Sequence, residues 1–382
     1  MYKVGEDVRI MKKKILFFIT TLAHGGAERV LVNLANNLDK SQYDVTVMTI
    51  FDGGVNKQYL NSDVNYRCVF SKVFHGIKYI TKFLPSRWLH KIFIKDFYDI
   101  EVAYLEGPPA KIISGSRNKK TKKVAWIHIE LNSEQEFTEG FKNRKDAVES
   151  YKQFDRIVCV SNTVKEQFQK ISGIKENVIV KYNTNETEKI IKLSSEQCSD
   201  IKYHDEIPTL CSVAKIEHTK GYDRLINVHK KLWDEGLKHR IYVIGIGKDK
   251  EKLEQRIKEM GVEDSFQFIG FRDNPYKYIS KCDLYVCSSR REGFSTAVTE
   301  ALVIGTPVVS TKCSGATELL GENNEFGIVV ENSEEGIYYG IKEMLKDKTK
   351  LEAYKEKAKE RGTFFSKEKT VLEVEKMFQE LQ

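Results

Sequence analysis

At 382 residues, with 41% hydrophobic and 31% charged, the chain is too long for one ordinary core and too polar to be membrane-embedded. Two domains of roughly 150–200 residues are expected, and no stretch reaches the roughly 18–20 consecutive apolar residues of a spanning helix. The net charge of +7 is modest, and the seven Cys show neither a C-x-x-C pair nor disulfide-like spacing, so reduced, buried thiols in a cytoplasmic setting are expected.

The start, with its short apolar run followed by a polar Gly-rich turn, is not a secretory signal, and residues 1–10 read as a flexible extension before a second Met at 11. The first α/β unit follows: strand "KILFFIT", turn "TLAHGG", helix "AERVLVNLANNL" and strand "YDVTVMTI". From Ser71 to Lys95 come six Lys/Arg, two His and no acid, interleaved with Phe74, Tyr79, Phe83, Trp88 and Phe93. Such a stretch suits an anionic membrane face or nucleic acid, or else a solvated helix packed by its own aromatics. No nucleic-acid-binding motif accompanies it. Further strands are expected at "DIEVAYLE", "KVAWIHIE", "DRIVCVS" and "NVIVKYN". Residues 184–206 are polar, lack alternation and read as a linker. The strand–helix alternation then restarts, from "PTLCSVAKI" to "FGIVVE". The fold class is therefore α/β, with two Rossmann-like doubly wound domains facing each other across a cleft. The domains span residues 11–183 and 207–365, and a C-terminal helix over 366–382 follows.

Four motifs carry the chemistry. Gly25 and Gly26, at the first strand-to-helix turn, either punctuate the chain or let backbone approach a ligand at a helix N-terminus. In "SVAKIEHTKGYDRLI", Lys215 and Lys220 flank a turn after a strand, as exposed lysines or as counter-charges to a diphosphate. "VIGIGKDKEKL" lacks the third Gly of a dinucleotide fingerprint, so Gly245 reads as a close turn beside a nucleotide pocket. In "EGFSTAVTEALVIGTPVVST", Gly293 and Phe294 form a turn, Ser295 or Thr296 caps a helix, and Glu292 precedes it. Glu300 sits alone in that apolar helix, and a buried carboxylate must accept hydrogen bonds. A ribose diol or a neighbouring Lys or Arg would satisfy it. The chain contains no Asp-x-Asp, no zinc-spaced His/Cys cluster and no G-x-S-x-G turn, so no metal site is expected and a diphosphate must be neutralised by Lys and N–H groups.

In this order, "GGAER", "AKIEHTKGYDRLI", "VIGIG", "FIGF" and "CDLYVCSSRREGFSTAVTEALVIGTPVVST" resemble the retaining glycosyltransferases of family 4, which have the GT-B fold, over nearly the whole chain. The resemblance implies that Glu300 holds the ribose hydroxyls and that Glu292 contacts the transferred sugar. Gly293, Phe294, Ser295 and Thr296 would bind sugar and diphosphate, together with Gly245 and Phe271. Lys215 and Lys220 would stabilise the leaving diphosphate, with Gly25 and Gly26 leaving room near it, and His128 would lie near the reacting carbon. It also implies that the C-terminal helix crosses back onto the first domain. Two departures stand out: position 215 is Lys where Arg is usual, and "YNTN" at Tyr182–Asn185 lacks the usual Asn-Gly turn.

The expected activity is retaining transfer of a sugar from a nucleotide diphosphate donor, a UDP-sugar, to a polyprenyl-diphosphate-linked glycan or polysaccharide precursor in cell-surface glycan synthesis. No cofactor or metal is called for. Lys78, Lys82, Arg87, Trp88 and Lys91 would meet an anionic membrane or the acceptor, with the protein peripheral on the inner face of the plasma membrane and no nucleic-acid partner. A sugar-nucleotide epimerase, a phosphorylase of similar architecture and a non-catalytic sugar-nucleotide-binding subunit are the competing readings.

Overall fold

The computed structural model describes residues 11–381 apart from 24, 75 and 202–206. The extension expected over residues 1–10 and part of the expected linker lie outside the described residues. The chain divides into two compact units. The first contains the described residues up to Cys159, Lys165–Lys181 and those from Val371; the second contains Val160–Val164 and Tyr182–Thr370.

The first unit is built on β1 (Lys13–Ile19), β2 (Tyr43–Phe51), β3 (Asn65–Phe70), β4 (Ile100–Ala103), β5 (Lys122–Ile127), β6 (Arg156–Cys159) and β7 (Val178–Val180). They form one parallel sheet in the order β3-β2-β1-β4-β5-β6-β7. Ile15–Ile19 are wholly buried, as a central parallel strand covered on both faces requires. Their run of consecutive apolar residues is what made this strand readable. At the edge, β3 is largely exposed and mixes Asn, Arg and Cys, so it carries no apolar period and the sequence reading missed it.

The second unit repeats the design with β8 (Thr209–Val213), β9 (Arg240–Ile244), β10 (Phe266–Gly270), β11 (Leu284–Cys287), β12 (Val308–Thr311) and β13 (Ile328–Val330). Its order is β10-β9-β8-β11-β12-β13, again all parallel. In each sheet the strand order reverses beside the unit's first strand, β1 against β4 and β8 against β11. Loops leaving those neighbours diverge to opposite faces and leave a crevice at the carboxyl edge. The segment expected as a linker is not wholly irregular: Thr187–Ser194 is a helix with Thr187 and Ile190 buried, packed on the helices Tyr276–Ile279 and Thr296–Ile304. Its two buried positions stand three apart and one of them is Thr, so no apolar period marked it in the sequence.

A polar chain runs through the core of the second unit. His229, His239 and Ser265 are buried, and His239 Nδ1–H donates to the Leu237 carbonyl at 2.7 Å. That fixes His239 Nε2 as the acceptor of His229 Nδ1–H at 2.9 Å, and His229 Nε2 then accepts from the Ser265 hydroxyl at 2.8 Å. Burial pulls both imidazoles down, His229 to about 2, with its neighbour's charge adding to the effect, and His239 to about 4. Unfolded imidazole titrates near pH 6.5, so the unfolded chain takes up protons first as pH falls. The second unit should therefore lose stability between pH 6.5 and 4, by up to about 1.4 kcal/mol per pH unit per imidazole. Urea unfolding across that range checks this, and His239→Ala, which orphans the His229 N–H, should cost about 1–3 kcal/mol at pH 7.

Candidate functional site

At the reversal point of the second sheet, the loop after β8 (residues 214–221) and the loop after β11 (288–295) are sewn together by main-chain and side-chain bonds. Ser288 Oγ donates to the Lys220 carbonyl at 2.8 Å and the Arg290 N–H to the Thr219 carbonyl at 2.7 Å. The Arg290 guanidinium forks onto both oxygens of Asp223 at 2.7 and 2.6 Å and reaches the His218 carbonyl at 2.8 Å, while Arg224 donates to the Ser288 carbonyl at 2.7 Å. Only glycine fits at 221: φ is 69°, and a Cβ there would lie 2.1 Å from the Ser288 carbonyl oxygen.

This stitching delivers Lys220 to Glu292. Nζ lies 2.7 Å from Oε1, and the Ser289 hydroxyl donates to the same oxygen at 2.6 Å, so neither uses Oε2. The pair is mostly buried, with side-chain exposures of 23% and 14%. Burial alone would lower the Lys220 pKa, but the charge and hydrogen bond of Glu292 outweigh it and the ammonium is held above its ordinary value. Two residues assigned separately by the sequence, one to the diphosphate and one to the sugar, are thus partners.

Lys215 stands exposed in the same loop, three residues before the 3₁₀ turn His218–Lys220. The loop is braced by the one after β9. Ile216 N–H donates to the Ile246 carbonyl at 2.9 Å, and a Cβ on Gly245, whose φ is 149°, would sit 2.0 Å from the Ala214 carbonyl oxygen. Gly245 N–H in turn donates to the Gly270 carbonyl at 2.9 Å, and Phe271, just beyond it, is 46% exposed. Ser295 is the cap of the helix Thr296–Ile304, its hydroxyl accepting from the Val298 N–H. Gly293 and Phe294 are buried before it. Glu300, half-buried on that helix, accepts from the Tyr276 hydroxyl at 3.1 Å. The sequence reading looked for a ribose, Lys or Arg and overlooked Tyr276, whose place opposite Glu300 is set by tertiary packing.

His128, Gly25 and Gly26 lie in the first unit. Gly25 is the N-cap of the helix Gly26–Asn37, in extended conformation, and the Glu28 carboxylate folds back so closely that a Cβ on Gly25 would lie 2.0 Å from Glu28 Oε2. The open helix end expected from "HGGAER" therefore carries a carboxylate from the chain itself. His128 follows β5, and its main-chain N–H donates to Glu106 Oε2 at 3.2 Å. Burial pulls its pKa down to about 3, against a hydrogen bond to the Tyr104 main chain, and Nε2 is buried with no partner among the described residues. Burial leaves His128 neutral, and the bond to the Tyr104 main chain takes its ring N–H, so the Nε2 lone pair is its available acceptor.

The basic–aromatic stretch folds as two short helices, Ile77–Phe83 and Ser86–Phe93. Phe93 is buried there, but Tyr79, Phe83, Trp88 and Ile92 are 69, 72, 58 and 51% exposed, beside exposed Lys82, Arg87 and Lys91. Of the aromatics on these two helices only Phe93 packs inward, against Phe18 and Phe70. Lys78 is ion-paired with Glu139, which reduces its share of the positive face. Among the described residues, no helix is long and apolar enough to cross a membrane.

Family models match both halves of the chain: Glycosyltransferase Family 4 over residues 24–189 and Glycosyl transferases group 1 over 194–361. A Campylobacter jejuni protein, the N-acetylgalactosamine-N,N'-diacetylbacillosaminyl-diphospho-undecaprenol 4-alpha-N-acetylgalactosaminyltransferase, is 36% identical over 190 residues. That match covers 49% of this chain and 50% of the relative, so it spans about half the relative's length. An uncharacterized glycosyltransferase of Haemophilus influenzae is 26% identical over 344 residues, 87% of this chain and 89% of its own. Among solved structures, Anabaena HepE in complex with UDP-glucose has a TM-score of 0.75 at 19% identity, covering 96% of this chain and 100% of its own. The lipopolysaccharide outer core galactosyltransferase WaaB, apo form, has a TM-score of 0.69 at 17% identity, with 96% and 99% covered. At these identities the two solved structures establish a shared fold.

The contact of the β9 loop with the β8 loop yields one direct expectation. Gly245→Ala drives a methyl into the Ala214 carbonyl and should lower stability by about 1–3 kcal/mol. An unchanged thermal midpoint would show that this approach is looser than described.

Proposed function

Because the chain belongs to the family 4 glycosyltransferases of GT-B fold, we propose that it moves a sugar, with retention of anomeric configuration, from a UDP-sugar to a polyprenyl-diphosphate-linked glycan in cell-surface polysaccharide synthesis. The observation that carries this reading is the Lys220–Glu292–Ser289 cluster at the reversal point of the second sheet, next to a capped helix N-terminus and the Glu300 carboxylate. Ligands of open α/β sheets bind at such points. The lipid-linked acceptor is supported by the Campylobacter relative, whose name specifies a diphospho-undecaprenol substrate, and the donor by the UDP-glucose complex of HepE.

In this scheme Glu300, oriented by Tyr276, accepts hydrogen bonds from the ribose diol. Gly245 and Phe271 border the nucleoside, and the turn from Gly293 through Thr296 meets the diphosphate and sugar with main-chain groups. Lys220 is the preformed cation for the leaving diphosphate, and exposed Lys215 swings in as a second point charge. Glu292, anchored through Oε1, keeps Oε2 for a sugar hydroxyl. The charge that builds on the departing phosphate meets donors already in place, an arrangement that can supply several kcal/mol. Lys and N–H groups do this without a required metal, so activity should persist in EDTA.

His128 enters as a hydrogen-bond acceptor near the sugar. With a pKa near 3 it is a poor base at neutral pH, since an effective general base titrates close to the working pH. The acceptor proton therefore goes to the departing phosphate on the same face of the sugar. Trapping a covalent sugar–enzyme adduct would overturn that route.

The exposed Tyr79, Phe83, Trp88 and Ile92 with Lys82, Arg87 and Lys91 form the face we assign to the inner leaflet of the plasma membrane. Apolar tips with flanking cations match an anionic headgroup layer. The enzyme then works as a peripheral protein where a polyprenyl-linked acceptor is held.

Three measurements test the proposal. Glu292→Ala should lower turnover by about a hundredfold or more with the fold retained, and Glu300→Ala should weaken UDP binding about tenfold; unchanged glycan output would favour a non-catalytic binding role. Phosphatidylglycerol vesicles should sediment the wild-type protein at low salt but not a Phe83→Ala/Trp88→Ala variant, with release at high salt. Equal sedimentation of the two would remove this face from the account.

A further inference from the structure

The turn at Gly293 and Phe294 is held from behind by two side chains that nothing above has used. Ser161, wholly buried, donates its hydroxyl to the Gly293 carbonyl at 3.1 Å. Its oxygen also accepts from the Val164 N–H at 3.2 Å, which leaves the hydroxyl hydrogen for Gly293. Asn183, 6% exposed, donates Nδ2–H to the Phe294 carbonyl at 3.2 Å. Reversing that amide would set oxygen against oxygen, so its orientation is fixed, although its own Oδ1 is left buried with no partner among the described residues. Both residues lie in the second unit with the turn they hold.

The ring of Phe294 is clamped as well. It stacks on Tyr182 at 5.0 Å and 25° and meets the edge of Phe365 at 5.6 Å. Gly315 lies so close that a Cβ there would be 2.7 Å from Phe294 Cδ2.

Stereochemistry turns these restraints into a direction. In a trans peptide the N–H of the next residue points opposite to the carbonyl, and no peptide bond among the described residues is cis. With the carbonyls of Gly293 and Phe294 drawn toward Ser161 and Asn183, the N–H groups of Phe294 and Ser295 are turned the other way. No described residue accepts from either of them.

We propose that Ser161 and Asn183 are positioning residues for the donor diphosphate: by holding two successive carbonyls they aim the Phe294 and Ser295 N–H groups as preset donors to phosphate oxygens. This rests on the donor site assigned above. Donors fixed before the ligand arrives need no reorganisation as charge develops, the condition under which they contribute most. The tolerated orphan Oδ1 of Asn183 fits this role, because a buried unsatisfied acceptor is kept only where the rest of the side chain is needed.

The test compares nucleoside diphosphates with monophosphates, since these N–H groups serve the distal phosphate. Calorimetry with UDP, ADP and GDP against UMP, AMP and GMP is run on wild-type protein and on Asn183→Leu, Ser161→Ala and Ser161→Thr. Wild type should prefer one diphosphate over its monophosphate. Asn183→Leu and Ser161→Ala should each lose about tenfold in diphosphate affinity with monophosphate affinity kept within about twofold, and Ser161→Thr, which keeps the hydroxyl, should stay near wild type. Because the comparison is a ratio of dissociation constants within one preparation, a partly unfolded sample alters stoichiometry and leaves the ratio intact. If the variants keep the wild-type ratio, or lose both ligands equally, the positioning role is wrong while the donor site stands. If wild type binds none of the three diphosphates, the donor site falls and takes this inference with it.

Discussion

The candidate site of the second unit turns on one ion pair. Lys220 and Glu292 come from loops 72 residues apart in sequence, yet they meet at 2.7 Å because the strand order reverses between β8 and β11. A largely buried pair is an uncertain source of stability, since desolvation of both charges opposes their attraction. Its cost is borne by the seam around it: the Arg290–Asp223 fork, the Arg224 and Ser288 bonds and the glycine at 221. Those contacts would be excessive for a simple crossing of two loops. They make sense if the position of an ammonium and a carboxylate must be kept to a fraction of an ångström.

The same principle governs single candidate residues in each unit. Glu300 accepts from the Tyr276 hydroxyl through Oε1, which orients its carboxylate. His128 is kept neutral by burial and fixed in tautomer by its bond to the Tyr104 main chain. Neighbouring groups thus set the charge of His128 and the orientation of Glu300.

Much of this was legible in the chain. The central strands are runs of consecutive buried apolar residues, and such runs survive any reasonable reading frame. β3 was not, because an exposed edge strand has no core face to impose a period, and neither was the helix Thr187–Ser194, whose buried positions are only Thr187 and Ile190. Of the site, Glu292, Lys220, the Gly293–Phe294 turn and Glu300 were found from spacing and local chemistry. Tyr276, Ser161, Asn183 and the Arg290–Asp223 fork were not, since a Tyr, Ser, Asn or Arg–Asp pair distant in sequence has no local pattern to mark it.

The sequence by itself determined the two α/β units, the places where strands end in glycine-rich turns, and the Lys and Glu residues that stand at those turns. These follow from short-range rules: periodicity, capping and the conformational freedom of glycine. Only the tertiary structure decided which of those residues are already bound to one another, that Glu28 covers the first helix end, that His128 is neutral, and that the aromatics near residue 80 point outward. Partnership, protonation and exposure depend on groups brought together across the fold, and no window along the chain contains both members of such a pair.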